Sequence, residues 1–135
     1  MAGGPAIGLD TSVVVRLLVG LPEDHARTAR HRLERAVERG ERVIVCDLVL
    51  AEAYHALQHH YGVPKAHART MLAAFAESGV VEPDPPDAAS ALHAHRGAGL
   101  VDRLVHSRYR GIGATTMTFE RKQGALEGAV RLRVR

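Results

Sequence analysis

Apolar and polar residues follow two alternating patterns along the chain. Short apolar runs bounded by Gly, Pro or charged residues predict strands, and apolar residues at every third or fourth position predict amphipathic helices. The predicted strands are residues 7–10, 43–46, 80–81, 111–116 and 130–133. The predicted helices are residues 11–19, 24–39, 47–60, 64–78, 87–96 and 100–109, and residues 83–87 are predicted as a turn.

Strands that alternate with helices predict an α/β domain. We expect a largely parallel central sheet of four to five strands flanked by helices. At 135 residues the chain has the length of one domain, and no linker, repeat or low-complexity tract divides it. We therefore predict a single domain over residues 1–135, with its core at about residues 5–133.

Composition and charge narrow the class of protein. Hydrophobic residues make up 46% of the chain, which is too high for a disordered protein, and a single cysteine excludes an internal disulfide framework. The longest early apolar run, residues 13–19, is interrupted by Arg16 and is too short to span a bilayer. We expect a protein of the cytoplasm. A net charge of +3 permits nucleic-acid binding without requiring it.

Most of the basic residues are arginines, which suit contact with phosphate. Several of them lie on the predicted helix at 24–39, where they could bind an RNA backbone. The same segment carries acidic residues, so a solvated and ion-paired helix face is the favoured interpretation. The arginines are Arg27, Arg30, Arg32, Arg35 and Arg39, and the acidic residues are Glu34, Glu38 and Glu41.

Four acidic residues stand at or just beyond the ends of apolar segments: Asp10, Glu52, Asp102 and Glu120. In parallel α/β sheets, functional residues gather at the carboxyl ends of the strands. Carboxylates brought together repel each other, and a divalent cation removes that conflict. Mg²⁺ prefers carboxylate and water oxygens. The pattern therefore favours a shared acidic metal site.

Each acidic residue also has a structural interpretation when it is taken alone. Asp10 could cap the helix that follows it, Glu52 and Asp102 could be solvated helix residues, and Glu120 could lie in a surface turn. His106, four residues after Asp102, could hydrogen-bond that carboxylate, although a solvated histidine is the favoured interpretation.

The four acidic residues lie in motifs that resemble those of PIN domains. Residues 7–13 (IGLDTSV) resemble the opening motif, and residues 50–57 (LAEAYHAL) resemble the second. Residues 100–104 (LVDRL) and 118–120 (TFE) resemble the third and fourth. The order and spacing of the motifs and the chain length are similar to those of VapC-type toxins of bacterial and archaeal toxin–antitoxin pairs, over about residues 5–133.

The resemblance implies an endoribonuclease that depends on Mg²⁺ or Mn²⁺, is inhibited by a partner antitoxin and is often a homodimer. It places Asp10, Glu52, Asp102 and Glu120 at the family's catalytic and metal-binding positions. Glu120 stands where the family usually has Asp, which moves the carboxylate by about 1.5 Å. Arg103 stands where a smaller residue is usual. The implied chemistry is metal-assisted hydrolysis of RNA phosphodiester bonds.

Two other functions remain open on the sequence. The Glu at position 120 is compatible with a non-catalytic PIN-like module that binds nucleic acid or protein. A metal-dependent hydrolase that acts on DNA or nucleotides is the third hypothesis. The RNA target, the number of metal ions and the antitoxin are not encoded in these motifs.

Overall fold

A three-stranded parallel sheet forms the centre of the computed structural model, which describes residues 5–134. Its strands are β1 (Ala6–Gly8), β2 (Arg42–Cys46) and β3 (Glu82–Asp84), in that order across the sheet. Ile7 pairs with Val43, and Val45 pairs with Pro83. The carboxyl ends of all three strands therefore lie at one edge, where α1 and α3 begin.

Four helices follow the first two strands. They are α1 (Thr11–Val19), α2 (Glu23–Glu38), α3 (Asp47–His59) and α4 (Lys65–Ala76). The α1 helix packs against both α2 and α3, and α3 packs against α4. Gly20 ends α1 with a φ of 79°, a left-handed conformation that only glycine adopts without strain, and its N–H bonds to the Arg16 carbonyl. These helices agree with the predicted ones to within two residues at each end.

The last third of the chain combines one 12-residue helix with several short elements. They are α5 (Ala88–Leu92), α6 (Leu100–Gly111), β4 (Met117–Thr118), α7 (Arg121–Gly124) and β5 (Val130–Arg131). Strands β4 and β5 pair in parallel as a separate two-stranded sheet. The α/β class and the parallel pairing are confirmed, and the five strands are divided between two sheets.

Aliphatic side chains fill the core between the main sheet and the helices. Leu50 and Leu57 of α3, Leu72 of α4, Leu92 of α5 and Leu100 of α6 are all fully buried. Leucines from four helices thus meet in one cluster, together with the buried valines of β2. This continuous core joins α3 and α6, the helices that carry Glu52 and Asp102, into one body.

Two strand predictions were wrong in position. The third strand lies at Glu82–Asp84, which includes Pro83 from the predicted turn. Proline is acceptable there because β3 is an edge strand. The N–H that Pro83 lacks is therefore not needed for a hydrogen bond to a further strand. The fourth strand is Met117–Thr118 rather than residues 111–116, because the N–H groups of Gly113 and Ala114 bond back to the end of α6.

None of the described helices is both long and apolar enough to cross a membrane.

Candidate acidic site

Asp10 lies where the chain leaves β1 and enters α1. It takes the N-cap position of α1, but its side chain makes no capping hydrogen bond. The Ser12 hydroxyl donates instead to Asp10 Oδ2 at 3.0 Å. That hydrogen bond, aided by the N–H groups of Thr11 and Ser12, lowers the pKa of Asp10 below its usual value of 3.8. Asp10 therefore presents an exposed and firmly ionised carboxylate.

Glu52 reaches the same place from α3. Its Oε1 accepts a hydrogen bond from the Thr11 hydroxyl at 3.0 Å, across 41 residues of sequence. Because Thr11 directly follows Asp10, this bond brings the second acidic motif against the first. Both carboxylates belong to exposed residues. We call Asp10 and Glu52 the sheet-side pair.

Asp102 and Glu120 are associated through α7. Asp102 lies in the first turn of α6 and is half-buried. Gln123 of α7 donates from Nε2 to the Asp102 carbonyl oxygen at 3.1 Å. Glu120 is the N-cap residue of α7, and its N–H donates to the Thr118 hydroxyl at 2.9 Å. We call Asp102 and Glu120 the α6–α7 pair.

An ion pair holds α6 against α3. Arg108 Nε donates to Asp47 Oδ2 at 3.0 Å, and Arg108 Nη2 donates to Asp47 Oδ1 at 2.8 Å. This two-point contact raises the pKa of Arg108 and fixes the relative positions of the two helices. Beside it, a groove of about 370 Å³ is lined by Ala51 and Val101, the residues that precede Glu52 and Asp102. The helix segments that bear Glu52 and Asp102 therefore border one groove.

A family model of the PIN domain matches residues 7–127, which includes all four acidic positions. The chain belongs to the PIN-domain family. No curated protein and no solved structure is significantly similar to it. PIN domains are generally nucleases, that is, hydrolases of nucleic acids, and they generally use divalent metal ions. Membership of the family therefore indicates a nuclease-type function and a nucleic-acid substrate for this chain.

The donor chemistry of this PIN domain suits a hard divalent cation, although the carboxylates do not converge. All four are oxygen donors on exposed or half-buried residues, and Asp10 is ionised well below neutral pH. Yet within residues 5–134, no three Asp, Glu, His or Cys side chains lie close enough to hold one ion. The four-carboxylate metal site therefore stays a prediction, and what the structure places together is Glu52 and Thr11, the residue after Asp10.

Two arginines of the α2 segment are ion-paired. Arg32 makes two hydrogen bonds to Glu41, at 3.0 and 3.3 Å, and Arg39 lies 4.0 Å from the same carboxylate. The Arg32 hydrogen bond lowers the pKa of Glu41. This pairing supports the interpretation of α2 as a solvated, charge-balanced face.

The sequence did not reveal three of the contacts that build the site. His106 is buried rather than solvated, and it bonds to the Thr116 hydroxyl and the Glu127 carbonyl rather than to Asp102. The Asp47–Arg108 ion pair spans 61 residues and has no local signal. Thr11 could be recognised as a polar residue beside Asp10, but its bond to Glu52 depends on how α1 packs against α3.

Proposed function

We propose that this PIN domain is a Mg²⁺- or Mn²⁺-dependent endoribonuclease and the toxin of a type II toxin–antitoxin pair. The hydrogen bond between Thr11 and Glu52 is the observation that carries the proposal, because it joins the first two acidic motifs at the carboxyl edge of the parallel sheet. The Asp47–Arg108 ion pair adds support, since it holds the helix that bears Asp102 beside the helix that bears Glu52.

The four carboxylates have distinct proposed roles. Asp10 and Asp102 bind the ion directly, and Glu52 binds it directly or holds one of its waters. Glu120, with its longer side chain, acts through water or positions the substrate. When bound, the ion supplies charge neutralisation at the phosphate and a water of lowered pKa. The Thr11 hydroxyl keeps the Glu52 carboxylate oriented toward α1.

The proposed biological setting includes a protein inhibitor and a second copy of the chain. The resemblance to VapC-type toxins supports an antitoxin partner, a homodimer and a cytoplasmic location. Exposed apolar side chains on α3 and at the end of α6 supply a surface for association, because Leu48 and Ile112 are both 74% exposed. Co-expression with the product of a small neighbouring reading frame and measurement of the molar mass by light scattering test both associations.

RNA cleavage by the native chain with Mg²⁺ or Mn²⁺ tests the activity itself. We expect cleavage that stops in chelator and falls sharply in Asp10→Asn and Asp102→Asn. Thr28→Val is the matched control, because the Thr28 hydroxyl bonds only to its own helix, at the Asp24 carbonyl. Equal cleavage by the native chain and both acidic-site variants would reject the proposed site. Parallel reactions with single-stranded DNA separate an RNase from a DNase.

A non-catalytic binding module is the second candidate. The observation that favours it is the separation of the four carboxylates, since no three of them form a metal-sized cluster within the described part of the chain. Nucleic-acid or protein binding that is insensitive to metal, without cleavage of any RNA or DNA, would establish this function instead.

A further inference from the structure

Arg69 is a buried arginine that has no acidic partner among residues 5–134. The residue is only 3% exposed, and it lies in the middle of α4. Its Nε atom is buried and has no hydrogen-bond partner in the described part of the chain. Its guanidinium lies over the Tyr54 ring, 5.8 Å from the ring centre. A buried cation is costly unless an anion or hydrogen-bond acceptors compensate it.

Arg69 lines a cavity of about 230 Å³ that contains no acidic side chain. Lys65 and His95 supply further basic groups, and the remaining wall is made of small residues. Those residues are Ala66, Gly97, Ala98 and Gly99. A small cavity lined by basic side chains and short backbone segments suits a compact oxyanion.

Two helices begin at this cavity. Lys65 and Ala66 are the first residues of α4, and Gly99 is the N-cap residue of α6. Neither helix has a side-chain cap, so side chains do not satisfy their first N–H groups. Helix N-termini carry a partial positive charge that favours anions. A Cβ added at Gly99 would meet nothing within 4 Å, so the backbone there is open to a ligand.

Arg103 fixes the loop that closes the cavity. Its Nε donates to the Ala98 carbonyl at 2.9 Å, and its Nη2 donates to the Arg96 carbonyl at 2.6 Å. These two carbonyl oxygens, which would repel an anion, are therefore engaged by a cation. The unusual arginine of the third motif thus has a structural role at the cavity.

We propose that this cavity binds a phosphate group of the nucleic-acid strand next to the acidic site. The assignment to RNA rests on the proposed function. Asp102 lies three residues after Gly99, which is about 4.5 Å along the axis of α6. A strand seated with one phosphate against Arg69 and Lys65 would therefore run past the start of α6, where Asp102 is placed.

Thermal unfolding in phosphate tests the cavity without any cleavage. At inorganic phosphate about tenfold above its Kd, we expect the Tm of the native chain to rise by roughly 4 °C over chloride of equal ionic strength. Arg69→Met and Ala66→Glu are expected to lose this rise. The second variant adds a carboxylate three residues before Arg69 on the same helix, at an exposed position.

The matched control variants change the charge by the same amount at positions outside the cavity. Arg27→Met removes a cation from exposed α2, and Ala74→Glu adds an anion to an exposed position of α4 away from the cavity. Both are expected to keep the phosphate response. If Arg69→Met does not fold, Ala66→Glu answers the question, because it alters no buried side chain.

Binding of a short single-stranded RNA in EDTA, followed by fluorescence anisotropy, assigns the phosphate to its source. We expect about tenfold weaker binding in Arg69→Met and Ala66→Glu, and little change in Ala74→Glu. The proposal is overturned if phosphate has no effect or acts equally on all variants. It is also overturned if the RNA affinity of Arg69→Met and Ala66→Glu is unchanged, which indicates a site for free phosphate. A third contrary result is an equal rise of the Tm in acetate, which indicates a site for a protein carboxylate. Loss of metal-dependent cleavage with this binding pattern intact would count against the nuclease alone.

Discussion

The sheet-side pair and the α6–α7 pair differ in how firmly the fold holds them. Asp10 follows a strand of the main sheet, and Glu52 is fixed by a direct side-chain bond from Thr11. Glu120, in contrast, precedes a four-residue helix between two strands of two residues each. Within residues 5–134, Gln123 is the one α7 side chain that hydrogen-bonds to the Asp102 backbone.

This difference suggests a division of labour between the two pairs. The sheet-side pair is preorganised by the fold, whereas in the α6–α7 pair Asp102 lies on the core-packed helix α6 and Glu120 lies between the short elements β4 and α7. Preorganised groups contribute most to catalysis because no energy is needed to arrange them during the reaction. We therefore infer that the sheet-side pair provides the first contact with a cation, and that the α6–α7 pair closes the site.

The largest expected effect comes from removing the sheet-side charge. Asp10→Asn is expected to lower kcat/KM for RNA by about 10²- to 10³-fold, because a ligand that stabilises transition-state charge is lost. Glu120→Gln is expected to lower kcat/KM less, by about tenfold, because the Glu120 carboxylate is proposed to act through water or to position the substrate. Equal losses in the two variants would contradict the ranking of the two pairs.

Breaking the ion pair between α3 and α6 tests whether the two pairs must be held together. Arg108→Met is expected to lower the activity by about 10- to 100-fold, since small misplacements of catalytic groups are costly. It should also lower the urea midpoint of unfolding. Arg27→Met is the matched control on an exposed helix face. An unchanged kcat/KM would mean that α6 is placed by the leucine core alone.

Thr11→Val tests the bond inside the sheet-side pair with a side chain of nearly equal volume. Loss of the hydroxyl frees the Glu52 carboxylate and is expected to lower the activity about tenfold, as is typical of groups that orient metal ligands. Thr28→Val removes a hydroxyl from α2 and should leave the activity unchanged. Higher Mn²⁺ concentrations should partly restore the Thr11 variant.

Hydrogen exchange distinguishes the two pairs without any mutation. If the α6–α7 pair closes on the cation, Mn²⁺ should slow amide exchange in β4, α7 and β5 more than in β1 and β2. The reason is that the short elements gain a ligand contact that they lack, while the main sheet is already protected. Equal slowing of amide exchange in both regions would contradict the proposal that the sheet-side pair contacts the cation first and the α6–α7 pair then closes the site.

The smallest effect is expected from Ser12→Ala. The Ser12 hydroxyl is the main cause of the lowered pKa of Asp10, so its removal should raise that pKa toward 3.8. A carboxyl with a lowered folded-state pKa contributes stability above its unfolded pKa, and this contribution is lost as the pH falls through the folded value. The free energy of unfolding of the variant should therefore be slightly lower than that of the native chain at pH 7, and this difference should disappear as the pH falls through the pKa of Asp10. An NMR titration of the Asp10 carboxyl carbon measures the shift.

The sequence predicted the features that depend on local pattern. The helices α1 to α4 and the order of the acidic motifs follow from apolar spacing and from the residues that end each element. What could not be predicted depends on tertiary contacts. The fourth strand was misplaced because α6 ends in a turn that occupies the N–H groups of Gly113 and Ala114. His106 and Asp47 found partners 10 to 61 residues away, which no local pattern encodes.

The candidate site was predicted at the level of residues rather than of geometry. The motifs predicted one site shared by all four carboxylates, and the bond from Thr11 to Glu52 supports the proximity of the first two motifs. The convergence of all four carboxylates into one metal site remains a prediction.

Binding of Mn²⁺, followed by the loss of the free-ion electron paramagnetic resonance signal, tests most directly whether both pairs serve one cation. The account predicts saturable binding to the native chain that is at least about tenfold weaker in both Asp10→Asn and Asp102→Asn. Thr28→Val should bind as the native chain does. Native affinity in Asp102→Asn would contradict the account, because the α6–α7 pair would then play no part in holding the ion.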